Sequence, residues 1–166
     1  MVISTQYPKA LALLEKPETY PGLAERSRSL VLLRIWRFPS FQPFSSWGVI
    51  QVKKDLFLRR ITWNQRHSLG SEPVTYGSEV PLPQSEFNKI LSDLRAIELA
   101  PFIAVATAGI DGTSYGIEVG GFGVSAKLNW WETPPVNWDP LHQWHANAIA
   151  HFEALLPAST LEIDHN

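Results

Sequence analysis

Apolar residues recur every three to four positions in two segments, and this spacing predicts two amphipathic helices. The first covers residues 84–99, with Ser85 as its predicted N-cap. The second covers residues 139–156, with Asp139 as its predicted N-cap and Pro140 at the first helical position. A shorter helix is predicted over residues 8–16. The predicted buried stripes are Phe87, Ile90, Leu91, Leu94 and Ile97 in one helix, and Leu141, Trp144, Ala148, Phe152 and Leu155 in the other.

Strict alternation of apolar and polar residues predicts β-strands elsewhere. Residues 29–38, 46–53 and 56–64 are typical of a β-meander, and the apolar run 102–109 is typical of a buried strand. Asp111-Gly112 favours a type I′ hairpin turn, which requires positive φ at both central positions. Two further strands alternate as Tyr115, Ile117, Val119 and as Val124, Ala126, Leu128, Trp130. Residues 65–82 are predicted to be a long loop, with a short edge strand at 74–76 as the alternative.

This order of elements predicts an α+β fold, with a mostly antiparallel sheet of about six strands and the helices packed on one face. All 166 residues fit a single globular domain, in which residues 158–166 form a flexible tail. Each half is predicted as three strands followed by a helix. An internal duplication is therefore left open as an interpretation.

Composition removes several classes of function. Hydrophobic residues make up 45% of the chain, which suffices for a core, and the absence of Cys excludes disulfides, thiolate catalysis and Cys-ligated metals. No signal peptide and no membrane-spanning apolar run is present, so a cytoplasmic protein without a membrane partner is expected. The sequence contains no P-loop, dinucleotide fingerprint, H-E-x-x-H or EF-hand loop, and no cofactor is predicted.

Basic residues are concentrated in one part of the chain. Residues 26–66 hold nine of the fourteen Lys and Arg and a single acid, Asp55, whereas residues 67–166 hold twelve acids and three bases. A basic sheet with interleaved aromatics favours binding to a protein with an acidic surface. Trp131, which is expected to be half-exposed, is predicted to contribute an aromatic contact to the same binding surface. The predicted binding residues are Arg34, Trp36, Arg37, Arg59, Arg60 and Trp131.

The same pattern leaves weak single-strand nucleic-acid binding as an alternative, although a pI near 6.2 makes nucleic acid an unlikely partner. Because Arg59 and Arg60 are adjacent in a strand, their side chains are expected on opposite faces of the sheet, which dilutes any single basic patch.

Two patterns carry a chemical alternative. Gly112-Thr113-Ser114-Tyr115-Gly116 matches a G-x-S-x-G nucleophile elbow, followed by Asp139 and the histidines in the chain order of an α/β-hydrolase. The elbow requires a strand before the serine and a helix after it, whereas the pattern here places a turn before Ser114 and a strand after it. His142 and His145 lie at i and i+3 on a helix and would need a third ligand, such as His67 or Asp111, to hold a metal.

The segment from Asp111 to Leu156 resembles a pattern found in small uncharacterised bacterial proteins. The resemblance rests on Asp111-Gly112-Thr113-Ser114-Tyr115, on Trp130-Trp131, and on Pro135, Trp138 and Leu141 at the start of the last helix. It implies a bacterial source and a toxin-neutralising or other accessory role, and it implies no particular chemistry.

The function favoured by the sequence is that of a non-enzymatic protein-binding domain whose partner offers an acidic surface. A small hydrolase that uses Ser114 or a His-ligated metal is the alternative from the enzyme class, and a weak single-strand nucleic-acid binder is the third hypothesis.

Overall fold

A computed structural model describes residues 6–26, 28–65, 72–100, 109, 111–121 and 123–158. Within these ranges the helices are α1 (Gln6–Glu15), α2 (Gln84–Arg95) and α3 (Asp139–Leu155), with a short 3₁₀ turn at Pro17–Thr19. None of the helices in these ranges has both the length and the apolar character needed to cross a membrane. The strands are β1 (Leu30–Pro39), β2 (Phe44–Val52), β3 (Asp55–Trp63), β4 (Thr75–Pro81), β5 (Thr113–Val119) and β6 (Ala126–Trp131).

The six strands form one sheet in the order β4-β3-β2-β1-β5-β6, and every neighbouring pair is antiparallel. The meander β1-β2-β3 extends to β4 on one side. The β5-β6 hairpin is added to the other side of β1, so that Trp36 of β1 lies opposite Gly116 of β5. The predicted α+β class with an antiparallel sheet of about six strands is confirmed.

Apolar side chains from alternate strand positions build one core on each face of the sheet. The face called here the α3 face carries Leu33, Ile35, Trp47 and Leu58, and helices α2 and α3 pack against it. The two helices predicted from apolar periodicity therefore share one face, as expected. The opposite face, called the α1 face, carries Phe44, Ile61 and Trp63 under helix α1, which adds a second layer that the sequence did not predict.

Several local predictions are wrong, because pairing between distant segments decides the local structure. The predicted loop 65–82 contains the seven-residue edge strand β4, so the alternative of an edge strand at 74–76 is confirmed in part, although the strand continues to Pro81. Neither Asp111 nor Gly112 has a positive φ, so the type I′ turn does not form. Instead Gly112 is bonded to the β1–β2 turn, where Ser40 donates its N–H to the Gly112 carbonyl at 2.8 Å.

The predicted helix caps are also wrong. Helix α2 begins after Pro83, with Ser85 inside its first turn, and helix α3 begins after Trp138, so that Asp139 is already helical; no side chain caps either helix. Helix α2 ends at Arg95, four residues before the predicted end. Leu155 is 37% exposed, and Leu156 takes the buried position that was predicted for it.

Four described strands precede α2, so the predicted order of three strands and a helix does not hold in the first half. In the second half the described strands between α2 and α3 are β5 and β6. The strand predicted at 102–109 lies outside the described residues apart from Gly109, and so do residues 159–166 of the predicted tail.

The N-terminal segment is fixed to the α1 face by Arg59, whose side chain is fully buried. Its guanidinium donates to the carbonyl of Pro17 at 2.7 Å, to that of Glu18 at 3.3 Å and to that of Ala24, while its Nε donates to the Glu79 carboxylate. Gly48 leaves room for the Pro17 ring to lie directly on the sheet.

Glu79 completes the same network. Its carboxylate also accepts from Arg26, whose guanidinium lies 3.7 Å from the centre of the Phe57 ring. Burial alone would raise the pKa of Glu79, but the hydrogen bonds from Arg26 and Arg59 outweigh this and hold its pKa below the usual value. Each of the three guanidinium nitrogens of Arg59 therefore donates to at least one acceptor, as a buried guanidinium requires.

We expect Arg59→Met to lower the free energy of unfolding by about 3–5 kcal/mol, because it leaves buried carbonyls without a donor and removes one of the two cations at Glu79. Urea unfolding followed by tryptophan fluorescence measures the change. Arg37→Met, at an exposed strand position, is the matched control and should stay within about 0.5 kcal/mol. Equal unfolding midpoints for the two variants would contradict the role assigned to Arg59.

Candidate functional site

Three of the six predicted binding residues are arginines that are buried and paired within the chain. Arg59 is held as described above. Arg60 lies on the α3 face, where it donates to the Glu153 carboxylate, to the Pro157 carbonyl at 3.0 Å and to the Ser78 hydroxyl at 3.2 Å. Arg34 on the α1 face donates to Glu118 at 2.7 Å. The opposite orientations expected for Arg59 and Arg60 are confirmed, and these three side chains hold the fold together.

The two predicted aromatic anchors differ in exposure. Trp36 is 5% exposed, and its ring lies against Gly116, between the Arg34 guanidinium at 4.7 Å and the Lys127 ammonium at 5.5 Å from the ring centre. Trp131 is half-buried, and its indole lies over Gly109 and Gly112. Of the six residues only Arg37 is exposed, so the broad basic surface predicted from the sequence is not present on the described part of the sheet.

The structure separates the residues of the hydrolase hypothesis. Ser114 lies near the start of β5, opposite Phe38 and Trp131, with its side chain on the α1 face. His145 lies beneath α3 on the other face, in contact with Tyr115 and Trp130. The strand context also differs from a nucleophile elbow, since β5 continues through Ser114 to Val119 without a following helix.

His142 and His145 of α3 are engaged in packing. The Trp130 indole donates to Nδ1 of His142 at 3.1 Å, so this nitrogen has no lone pair left for a metal. His145 is 1% exposed, and its Nε2 donates to the Trp36 carbonyl at 3.0 Å, since a carbonyl oxygen only accepts. No group of three metal-binding side chains occurs within the described ranges.

These histidines belong to an aromatic cluster that fills the space between α3 and strands β5 and β6. Tyr115 and Trp130 are stacked at 5.6 Å, and the rings of His142, His145 and Trp138 meet them edge-on. The alternation of Tyr115 and Trp130 in their strands was visible in the sequence. Their pairing across β5-β6 and the insertion of His145 were not, because both depend on the docking of α3.

Tyr115 and Trp130 of this cluster also belong to a row of side chains on the α3 face that crosses the whole sheet. Arg37 pairs with Ser45 on one side and with Tyr115 on the other, and the register continues to both edges. We call this set the terminal row; in strand order from β4 to β6 it comprises Tyr76, Thr62, Ser45, Arg37, Tyr115 and Trp130.

The terminal row is polar at its centre and accessible at several positions. Arg37 is exposed, Tyr76 is 36% exposed, and Ser45 and Tyr115 are half-buried. The hydroxyls of Ser45 and Thr62 lie 3.1 Å apart. The Arg37 guanidinium reaches only the Gln42 side-chain oxygen, at 3.5 Å, and no carboxylate of the described residues pairs with it. Arg37 thus differs from the other three arginines of the sheet.

At the β4 end the terminal row opens into a cleft of about 260 Å³. The walls carry four hydroxyl groups and the Arg60 guanidinium, and the Tyr20 hydroxyl donates to Thr75 at 3.0 Å. The lining residues are Tyr20, Gly22, Arg60, Thr75, Tyr76, Gly77 and Ser78. The row and the cleft together offer hydrogen-bond donors and one unpaired cation on a rigid sheet.

Gly116→Ala tests the packing of Trp36. A methyl group at residue 116 would overlap the Trp36 indole, which is closed in by Arg34 and Lys127, and we expect a loss of about 1–3 kcal/mol in the free energy of unfolding. Gly121→Ala is the control, because a methyl group there meets its nearest neighbour only at 3.8 Å. Chemical unfolding of both variants measures the difference, and similar midpoints would show that Trp36 can move aside.

His145 makes stability depend on pH. Burial lowers its pKa to about 4, and the raising effect of the Trp36 and Gly116 carbonyls does not offset it. The unfolded chain, in which the pKa is about 6.5, therefore binds more protons between these values. The contribution of His145 to the free energy of unfolding has its full value above about pH 6.5. It falls by about 3 kcal/mol as the pH drops toward 4. Unfolding midpoints measured over this range test the expectation.

His145→Gln is the informative variant for that measurement, because Gln keeps a donor for the Trp36 carbonyl but has no titrating group. It should flatten the profile between pH 6.5 and 4.5 relative to the wild type. A wild-type slope that persists in His145→Gln would assign the pH dependence to another group.

Comparison with known proteins adds no relative: no family model, no curated protein and no solved structure matches this chain. The assignment of a function therefore rests on the geometry of the terminal row and of the pairs that surround it.

Proposed function

We propose that this chain is a non-enzymatic protein-binding domain that engages its partner through the terminal row. One observation carries the proposal: Arg37 is the only arginine of the described sheet that is exposed and has no carboxylate partner. A guanidinium in this state forms bidentate contacts with a carboxylate of another molecule. The partner is expected to bring an acidic side chain to Arg37.

Other residues of the terminal row support recognition of a protein surface. Tyrosine and arginine are enriched among the residues that dominate binding energy at interfaces, and Tyr76 and Tyr115 lie in the same row as Arg37. Both are held by the sheet, so little side-chain freedom is lost on binding. The hydroxyl-lined cleft at β4 would accept a polar side chain at the border of such an interface.

Charge distribution favours this proposal over nucleic-acid binding. Arg26, Arg34, Arg59 and Arg60 form ion pairs with Glu79, Glu118 and Glu153. They are therefore not available to contact a phosphate backbone, which usually needs several unpaired cations. The toxin-neutralising or accessory role implied by the resemblance is one form of the proposal, in which the acidic surface belongs to a toxin or an enzyme.

The test compares variants of the terminal row with a control at the opposite end of the sheet. The partner is captured with the tagged chain from host lysate after nuclease treatment, and its affinity is then measured by calorimetry with the purified proteins. Arg37→Glu should weaken binding by about 30-fold or more, as expected for the loss of a central charged contact, and Tyr76→Ala by about 10-fold. Lys54→Glu, an exposed charge in the β2–β3 turn, should change the affinity less than about threefold.

A photo-crosslinking amino acid at position 76 should label the same partner, whereas one at position 54 should not. If Arg37→Glu binds like the wild type, or if the label forms only from position 54, the terminal row is not the binding surface. Material that is lost on nuclease treatment, with an affinity that falls steeply with salt, would instead favour the nucleic-acid hypothesis.

A further inference from the structure

Strand β6 is an edge strand whose outer backbone groups are unpaired within the described chain. Glu132 donates its N–H to the Thr113 carbonyl at 2.8 Å, so residues 113 and 132 form a hydrogen-bonded pair of the β5-β6 ladder. Every second pair from there is also hydrogen-bonded, which places the N–H and C=O groups of residues 126, 128 and 130 toward β5. Because antiparallel ladders alternate, the intervening residues of β6 point their N–H and C=O groups outward. These residues are Lys127, Asn129 and Trp131.

Among the described residues, the edge at β6 lacks the features that usually protect an edge strand. Proteins block such edges with proline, with outward charges or with covering segments. The opposite edge strand, β4, by contrast ends at Pro81. Strand β6 contains no proline, and its single charge, Lys127, reaches back across the sheet toward the Trp36 ring instead of pointing outward.

We propose that β6 pairs antiparallel with β6 of a second copy of this chain, in a register centred on Asn129. In this register Asn129 faces its own counterpart, Lys127 faces Trp131, and Leu128 faces Trp130 of the other copy. The paired residues are an amide with an amide, a cation with an indole, and two apolar side chains. No like charges are opposed, as they would be in a register centred on Lys127.

The backbone geometry agrees with the side-chain complementarity. All three outward-facing residues become hydrogen-bonded pairs in this register, which gives about six new backbone hydrogen bonds. Residues 126–132 overlap completely, so that the two sheets join into one continuous sheet. The two-fold axis is perpendicular to the joined sheet, so the two terminal rows lie on the same face, one in each half of the joined sheet, and each ends at the seam with Trp130. This surface is separate from Arg37, so its test does not depend on the proposed function.

The absence of cysteine from the chain allows a direct test of the register. In a hydrogen-bonded antiparallel pair the two Cα atoms lie about 5.5 Å apart, within the range of roughly 4.4–6.8 Å that a disulfide requires. Asn129→Cys should therefore form an intermolecular disulfide under mild oxidation. Lys127→Cys is the register control, because its two copies would be displaced by about 13 Å along the strands. Lys54→Cys reports random collisions.

The expected result is oxidation of Asn129→Cys at least about tenfold faster than either control, at the same protein concentration. Light scattering of the wild-type chain should show a concentration-dependent mass that approaches twice 18.7 kDa. Asn129→Pro removes an N–H that the β5-β6 ladder does not use, so it should fold and remain a monomer. Circular dichroism confirms the fold of each variant.

Three outcomes would overturn the proposal. A mass of 18.7 kDa at every concentration, together with equal oxidation rates, would show that β6 does not self-associate. A dimer that persists in a folded Asn129→Pro would place the contact elsewhere on the chain. Faster oxidation of Lys127→Cys than of Asn129→Cys would reject the register.

Discussion

The buried guanidinium of Arg59 joins parts of the chain that are distant in sequence. It links strand β3 to β4 through Glu79 and to the N-terminal segment through the carbonyls of Pro17, Glu18 and Ala24. A charge without solvent is tolerated only when every donor has an acceptor, so these segments must adopt their positions together. The second core, under α1, follows from this arrangement, because residues 17–26 hold α1 over Phe44 and Trp63.

The same principle explains why so little of the basic sequence reaches the surface. Arg34, Arg59 and Arg60 each meet a carboxylate from a strand or helix packed beside them. Arg60 and Trp47 both bind Glu153, the latter at 2.6 Å, and so fix the end of α3 on the sheet. Arg37 lies beyond the part of the α3 face that the helix covers. Its exposure is a result of where α3 crosses the sheet.

Periodicity in the sequence was sufficient for the elements whose burial follows a simple pattern. The meander and α3 were predicted within about three residues, since their apolar positions repeat at the spacing of a strand or a helix. Strand β4 was predicted only as a short alternative at 74–76, because Thr75, Gly77, Ser78 and Glu79 show no apolar alternation. They are stabilised by Arg59, Arg60 and Tyr20, which are up to 57 residues away in sequence. The turn at Asp111-Gly112 failed because β5 pairs with β1 and β6, so a strong local preference was overruled by distant strands.

The candidate site was predicted less completely than the fold. Alternation correctly separated Arg59 from Arg60, but the sequence gives no sign of which arginine will meet Glu79, Glu118 or Glu153. Only Arg37 of the predicted set stays exposed. Tyr115 lies beside it in β5, whereas Tyr76 lies three strands away in β4. Because β4 and β5 flank the meander on either side, the alignment of these residues in one row becomes visible only with the strand order.

The network at Arg59 also affects the chain during its synthesis. The segment 17–26 leaves the ribosome early, whereas its binding partners Arg59 and Glu79 follow later. At about 5–20 residues per second, roughly 3 to 12 seconds separate the emergence of Glu18 from that of Glu79. During that interval the apolar side of α1, with Ala10 and Leu14, has no sheet on which to pack. The nascent chain therefore exposes a short amphipathic segment to chaperones before its own fold can bury it.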